Sequence, residues 1–177
     1  GDPRIVKFEE GAWGPLPGDP IPFEIIRLWA SAEILFGTGP SGVILSNVDG
    51  TWTVHDTGTM DDFSAVWGFS ATDVWASVNW PVGLYHYDGV DWTQVEWPNP
   101  GGDGNPCDPG TITGLRGKDG VLYIITEHAL VMWDGAAFSV LGHWPSTYDG
   151  ERCSGGLRVS AIWGNEIDEG FLAAKAS

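Results

Sequence analysis

The sequence predicts an all-β fold: a β-propeller of four-stranded antiparallel blades, with about four blades. The main observation is a strand-like repeat of roughly 40 to 50 residues, the length of a propeller blade. A second observation is that no segment has a sustained helical period, while 26 glycines and 12 prolines favour short strands joined by tight turns. With 177 residues and 42% apolar content, the chain is long enough for one sizeable core in a single domain.

Two landmarks define the repeat. One is an aromatic residue that follows a turn of the Asp-Gly type, and it falls at Trp13, Trp52, Trp92 and Phe138. The other belongs to the first strand of each repeat, and it falls at Trp29, Trp67, Arg116 and Trp163. We expect the landmark tryptophans, together with Trp75, to pack in the core between sheets, because large aromatic side chains dominate core burial.

Each complete repeat divides into four predicted strands. They cover 24–30, 33–37, 42–48 and 51–56 in the first repeat, 63–68, 73–77, 83–87 and 91–97 in the second, and 112–116, 121–126, 129–133 and 137–141 in the third. The Asp49-Gly50 dipeptide is expected to form a hairpin turn, since it readily adopts positive φ angles.

The two ends of the chain are complementary halves of one further blade. Two strands are predicted near the N-terminus, at 4–8 and 12–16, and two near the C-terminus, at 157–164 and 170–175. The predicted blades are therefore blade 1 (20–57), blade 2 (58–98), blade 3 (111–144) and a split blade 4 (1–19 plus 157–177). Joining the ends would remove exposed sheet edges. The alternative is a fragment of a larger ring, completed by missing blades or by another chain.

Charge excludes one class of partner. With 8 basic and 24 acidic residues the net charge is −16, which repels a phosphate backbone, so we expect no nucleic-acid partner. No apolar run is long enough to span a membrane, and no signal-peptide pattern is present. The four histidines show no zinc-ligand spacing.

The two cysteines precede equivalent landmarks by similar distances. Cys107 lies before Arg116, and Cys153 lies before Trp163, both in connections that lead into successive blades. We therefore expect a Cys107–Cys153 disulfide and an oxidising compartment, namely the cell surface, the periplasm or the medium. The alternative is two unrelated buried thiols in a cytosolic protein.

Three tryptophans outside the repeat landmarks are candidates for ligand binding. Trp80, Trp97 and Trp144 lie in or beside connections expected on one face of the ring, which also carries the longest loops, 98–110 and 145–156. Flat aromatic faces beside the acceptors Glu127 and Asp149 would suit a sugar or a peptide. The alternative is that the tryptophans hold the long loops against the sheet.

One connection contains oxygen ligands at alternating positions. Asp103, Asn105 and Asp108 are candidate Ca²⁺ ligands, although the later bidentate Glu of an EF-hand loop is absent. No other cofactor is expected. The chain also has no Gly-x-Ser-x-Gly motif and no phosphate-binding glycine loop, and neither cysteine has the setting of a nucleophile, so we expect no enzyme activity.

The segments 65–77 and 83–92 carry a resemblance to a known repeat. They read Ala-Val-Trp-Gly-Phe-Ser-Ala-Thr-Asp-Val-Trp-Ala-Ser and Gly-Leu-Tyr-His-Tyr-Asp-Gly-Val-Asp-Trp. They resemble the propeller repeats of secreted and lipid-anchored bacterial proteins, with their Trp-Gly-Ser, Asp-Val-Trp-Ala and His-Tyr-Asp-Gly…Trp motifs. The match is weaker at 112–138, where Arg116 replaces the Trp. The resemblance implies a propeller and an exported location, and it implies no activity.

We therefore expect a non-enzymatic, extracellular propeller that binds a carbohydrate or a protein surface through the face with the long loops. A first alternative is a structural spacer, or a fragment of a larger propeller, in a surface protein or an assembly. A second is an enzyme of the glycoside hydrolase or lyase type. The fold does not distinguish among them.

Overall fold

The computed structural model describes residues 5–18, 20–79, 81–98, 111–144, 147–148, 153–154, 156–166 and 169–176. Every regular element in these segments is a β-strand. The N-terminal strands are β1 (Val6–Glu9) and β2 (Ala12–Pro15). Blade 1 follows with β3 (Arg27–Ala30), β4 (Leu35–Thr38), β5 (Ile44–Val48) and β6 (Thr51–His55).

The next two blades have the same strand order. Blade 2 consists of β7 (Phe63–Ser70), β8 (Asp73–Asn79), β9 (Val82–Tyr87) and β10 (Trp92–Val95). Blade 3 consists of β11 (Ile112–Lys118), β12 (Val121–Thr126), β13 (Ala129–Trp133) and β14 (Phe138–His143). The remaining strands are β15 (Thr147–Tyr148), β16 (Cys153–Ser154), β17 (Leu157–Glu166) and β18 (Glu169–Ala176).

The predicted fold class is confirmed. Blades 1, 2 and 3 are four-stranded antiparallel sheets in which consecutive strands pair. The first strands lie side by side in chain order, with β3 against β7, β7 against β11, and β11 against β17. The bounds of β12 and β13 agree with the prediction, whereas β3 begins at Arg27 rather than at 24. The short hairpin β15–β16, inside the second long loop, was not predicted.

The terminal strands form two separate two-stranded sheets, β1–β2 and β17–β18. Both halves of the split blade thus have the predicted strands, while their joining into one sheet stays a prediction. One expectation about the N-terminal half is wrong: Trp13 is 71% exposed and is not a core residue. The reason is that β1–β2 has only two strands in its sheet, so no further strand of a blade lies beside them in the described residues.

A tryptophan of one blade packs against a glycine of the next blade. The ring of Trp29 in blade 1 lies over Gly68 of β7, where an added Cβ would be 2.6 Å from the ring. In the same way, Trp67 of blade 2 lies over Gly117 of β11. In blades 2 and 3 this glycine directly follows the first-strand landmark. The repeated Trp-Gly step is therefore explained by close packing between blades.

The core lies between neighbouring blades. One cluster joins blades 1 and 2 around the fully buried Phe36 and Phe63, and a second joins blades 2 and 3 around Trp75 and Leu122. The prediction of core roles is confirmed for Trp75, 4% exposed, and for Trp92, 7% exposed. A third, smaller cluster brings Val159 of β17 against blade 3.

The turns between third and fourth strands use the Asp-Gly sequence in two ways. Asp49-Gly50 forms the predicted two-residue hairpin, with φ of 50° and 88°. In blades 2 and 3 the loop is longer, and Asp88 and Asp134 accept two backbone N–H bonds each, at 2.8–3.0 Å. The backbone N–H of Asp91 has the largest effect on the pKa of Asp88, and the backbone N–H of Ala137 has the largest effect on that of Asp134. Together the donors hold the pKa of both carboxyls below their ordinary value, since they stabilise the ionised form.

His55 is a partly buried titratable group at the junction of blades 1 and 2. Burial lowers its pKa, because the charged imidazolium is poorly solvated between Phe36, Tyr87 and Trp92. The folded state thus binds this proton less readily than the unfolded chain, whose His pKa is about 6.5. Above that pH the imidazole is neutral in both states, so its burial costs no stability. Below it the unfolded chain takes up the proton more readily than the folded state, and we expect the free energy of unfolding to fall.

The measurement is the free energy of unfolding of the wild type and of His55→Gln at pH 7.5 and at pH 5. The wild type should lose more stability between the two pH values than the variant does. An equal loss in both proteins would contradict the prediction.

Candidate functional site

The predicted site lies on one face of the blades. In an up-and-down blade, the connection from the second to the third strand and the link to the next blade emerge on the same side. In the described segments this side carries 39–43, 56–62, 96–98, 127–128 and 144, and we call it the long-loop face. The two longest connections, 98–110 and 145–156, also start here and lie largely outside the described residues.

At the junction of blades 1 and 2, the connections 39–43 and 56–62 are linked by hydrogen bonds. The Ser41 N–H donates to Asp62 Oδ1 at 2.8 Å, and the Gly42 N–H donates to the Asp61 carbonyl at 2.9 Å. The buried Thr57 hydroxyl donates to the Gly42 carbonyl at 2.9 Å. Gly42 has a φ of 77°, and an added Cβ there would collide with the Thr59 carbonyl. The loop backbone is therefore closely constrained.

This constrained segment presents a methionine to solvent. The Thr59 hydroxyl donates to Asp61 Oδ2 at 2.6 Å and accepts from the Asp61 N–H at 3.1 Å, which fixes the residues on either side of Met60. Met60 itself is 77% exposed, and Asp56 and Asp62 in the same connection are exposed too. We call Asp56, Met60, Asp61 and Asp62 the Met60 patch. It combines an exposed thioether with three carboxylates.

Two of the predicted ligand-binding tryptophans are half-buried and have packing roles. Trp97 packs against the cluster between blades 2 and 3, and Trp144 packs against the third cluster, which contains Val159. The backbone N–H of Trp144 donates to the His128 carbonyl at 2.7 Å, and the Trp144 ring lies over Gly142. These contacts agree with the alternative that such residues hold the loops against the sheet. Their role in ligand binding stays a prediction.

Glu127 joins blade 3 to the segments on either side. Its N–H donates to the Thr111 carbonyl at 3.0 Å, and its carbonyl accepts from the Val159 N–H at 2.8 Å. Its carboxylate lies 3.4 Å from the Thr111 N–H, which is a long contact. The Trp144 backbone is thus bonded to His128, the residue after Glu127, whereas Trp97 belongs to the other cluster.

The remaining predicted residues have no described side chain. Those outside the described residues are Trp80, Asp103, Asn105, Cys107, Asp108 and Asp149. Cys153 is described as backbone only, paired with Tyr148 in β15–β16. The disulfide and the Ca²⁺ site therefore stay predictions. Among the described side chains, no three His, Cys, Asp or Glu residues are grouped to hold a metal ion.

A polar cluster on the opposite face was also not predicted. Asp73 Oδ1 lies 2.9 Å from His86 Nε2 and accepts from Trp75 Nε1 at 3.0 Å. The rings of Trp75 and His86 are 4.4 Å apart. All three belong to β8 and β9, so the cluster connects neighbouring strands of blade 2. The sequence signal for this cluster was the Asp-x-Trp step of the repeat. The Met60 patch had only a weak sequence signal, namely one apolar residue in a polar connection.

Comparisons with protein-family models and with curated proteins find no match. Solved structures do match. The computationally designed Ika4 protein has a TM-score of 0.57 and 17% identity over 90% of this chain and 95% of that one. YCF48 bound to D1 peptide has a TM-score of 0.50 and 18% identity over 74% of this chain. The computationally designed Ika8 protein has a TM-score of 0.54 and 13% identity over 84% of this chain. The match spans 45% of YCF48 and 42% of Ika8, less than half of each.

These structural neighbours are propeller proteins, and at such low identity they show the fold alone. A search of the described segments for a helix long and apolar enough to cross a membrane finds none. The chain is thus similar to β-propellers in its blades and in their order.

Proposed function

We propose that this propeller is a non-enzymatic recognition scaffold that binds a protein segment through the long-loop face. The observation that carries the proposal is the Met60 patch, in which a constrained loop holds an apolar side chain 77% exposed. Methionine is flexible and polarisable, and at such an exposed position it can adapt to varied partner surfaces. YCF48, a structural neighbour, is a propeller with a bound peptide, which supports this class of partner.

Charge defines the partner further. Asp61 and Asp62 directly follow Met60 in the chain, Asp56 lies four residues before it, and the whole chain carries a net charge of −16. A partner segment with an apolar residue beside lysines or arginines would complement both features. Because these carboxylates are partly or fully exposed, binding should weaken as salt is added.

We expect Met60→Ser to weaken binding of a basic peptide by at least about fivefold, the effect of losing roughly 1 kcal/mol at a central contact. Folding stability should change by no more than about 0.5 kcal/mol, since Met60 is exposed. The probe is a displayed library of short peptides selected on the wild type, and affinities are then measured by calorimetry. Val90→Ser is the matched control, because Val90 is 76% exposed on the opposite face.

Equal affinity of the Met60→Ser and Val90→Ser variants would contradict the patch as the site. A glycan array tests the carbohydrate alternative, which depends on Trp97 and Trp144. A protein that selects neither peptide nor glycan would favour the structural spacer. Turnover on glycoside substrates would favour the enzyme alternative.

The proposed compartment is extracellular or periplasmic. Its support is the repeat resemblance together with the predicted Cys107–Cys153 disulfide. A thiol count on the denatured, unreduced protein tests it. No free thiol would support export, and two free thiols would contradict the disulfide.

A further inference from the structure

The N-terminal hairpin β1–β2 has the register of the outer half of a blade. In complete blades the turn aromatic pairs with a residue of the third strand: Trp52 with Asn47, Trp92 with Tyr87, and Phe138 with Trp133. Trp13 pairs with Phe8 in the same way. The Phe8 and Trp13 rings are 5.2 Å apart, close to the 5.3 Å between Tyr87 and Trp92.

Only in the hairpin is this aromatic uncovered. Trp13 is 71% exposed, whereas Trp92 is 7% exposed and both Trp52 and Phe138 are half-buried. Phe8 is 56% exposed. The same repeat position is therefore covered wherever the hairpin belongs to a complete blade, and exposed where it does not.

The C-terminal strands supply the missing inner half. Trp163 of β17 pairs with Phe171 of β18, as Trp67 pairs with Trp75 in blade 2. In the described residues β18 pairs with β17 alone, so its other edge has no strand beside it. Such an edge accepts an added strand through backbone hydrogen bonds.

The complete blades define the register of that added strand. In blade 2, Trp75 faces His86, the residue before Tyr87. In blades 1 and 3, Phe36 faces Ser46 and Tyr123 faces Met132, at the same position. By this rule Phe171 would face Lys7, and Leu172 would face Val6.

With Pro17 and Gly18 where the structure places them, the linker after β2 is too short for the hairpin to reach its own half-blade. Pro17 and Gly18 lie against the Asp49-Gly50 turn, at the end of blade 1 away from the long-loop face. If β2 were the fourth strand of the split blade in its own ring, it would end on the long-loop face. That face is about 17 Å from the end with the Asp49-Gly50 turn, the length of a five-residue strand. The three residues from Pro15 to Gly18 span at most about 11 Å. Prolines 15, 17, 20 and 22 also favour an extended linker.

We propose that β1–β2 of one copy pairs with β18 of a second copy, so that two chains complete each other's fourth blade. The exchange is reciprocal, and the interface is therefore a two-fold one. The exchange buries Phe8 and Trp13 and covers the unpaired edge of β18 in each copy. This dimer is independent of the Met60 patch and of any ligand there.

Disulfide trapping tests both the register and the partner. Val6→Cys and Leu172→Cys are combined in a full-length chain carrying Cys107→Ser and Cys153→Ser, and the oxidised protein is analysed on a non-reducing gel. We expect a covalent species of twice the 19.0 kDa chain. The control pair, Lys7→Cys with Leu172→Cys, is shifted by one residue and places the thiols on opposite faces, so it should trap little.

A cross-linked monomer would overturn the exchange, because it would mean that the hairpin closes its own ring. Absence of any cross-link in the Val6–Leu172 pair would overturn the register as well. Light scattering on the chain with its native cysteines is the second measurement. We expect the wild type to be a dimer, Trp13→Ser to be a monomer with its blades still folded, and Val90→Ser to remain a dimer. A monomeric wild type would overturn the proposal.

Discussion

Replacing Phe36 by alanine should lower the free energy of unfolding by about 3–5 kcal/mol, the usual cost of removing a buried aromatic ring. Phe36 is fully buried, and its ring lies within 6.3 Å of the rings of Trp29, His55, Tyr87 and Trp92. Tyr87 and Trp92 belong to blade 2, so the cavity would open at the contact between two blades. Neighbouring aromatic rings are rigid and fill such a cavity poorly.

Urea denaturation measures this loss, and the melting temperature should fall by about 6–20 °C for a chain of this size. The control is Phe23→Ala, which removes the same ring from a site that is 44% exposed. A loss at Phe36 no greater than that at Phe23 would show that the blade 1–blade 2 cluster does not contribute as described.

Alanine at Gly117 should destabilise the fold by about 1–3 kcal/mol through overpacking. The added methyl group would collide with the indole of Trp67 and with the ring of Phe69. Trp67 Nε1 is buried and has no hydrogen-bond partner in the described residues, so the indole is held by packing alone. The clash therefore acts directly on the contact between blades 2 and 3.

The control is Gly14→Ala, because an added Cβ at Gly14 has no atom within 4 Å. Its stability should change by no more than about 0.5 kcal/mol. Trp67→Phe shortens the ring and should recover part of the loss when combined with Gly117→Ala. Additive effects of the two substitutions would contradict a direct contact.

The candidate site was predictable only in part. The sequence predicts that one face collects the long connections, since strand order alone determines which connections share a side. It did not indicate Met60, because its exposure depends on hydrogen bonds between two connections that are distant in the chain. Trp97 and Trp144 were identified from their positions outside the repeat, and their packing against two different clusters became visible only in three dimensions.

The blades follow from local patterns in the sequence. The repeat of turn aromatics and first-strand landmarks predicted twelve strands of three complete blades and both terminal pairs, because turn type and alternation are local properties. How the blades meet, and which surfaces are left open, became visible only in three dimensions. The contact of Trp67 with Gly117, and the exposure of Trp13 at a position that is covered in other blades, depend on residues from separate repeats. Such contacts follow from the packing of whole sheets, which no local pattern specifies.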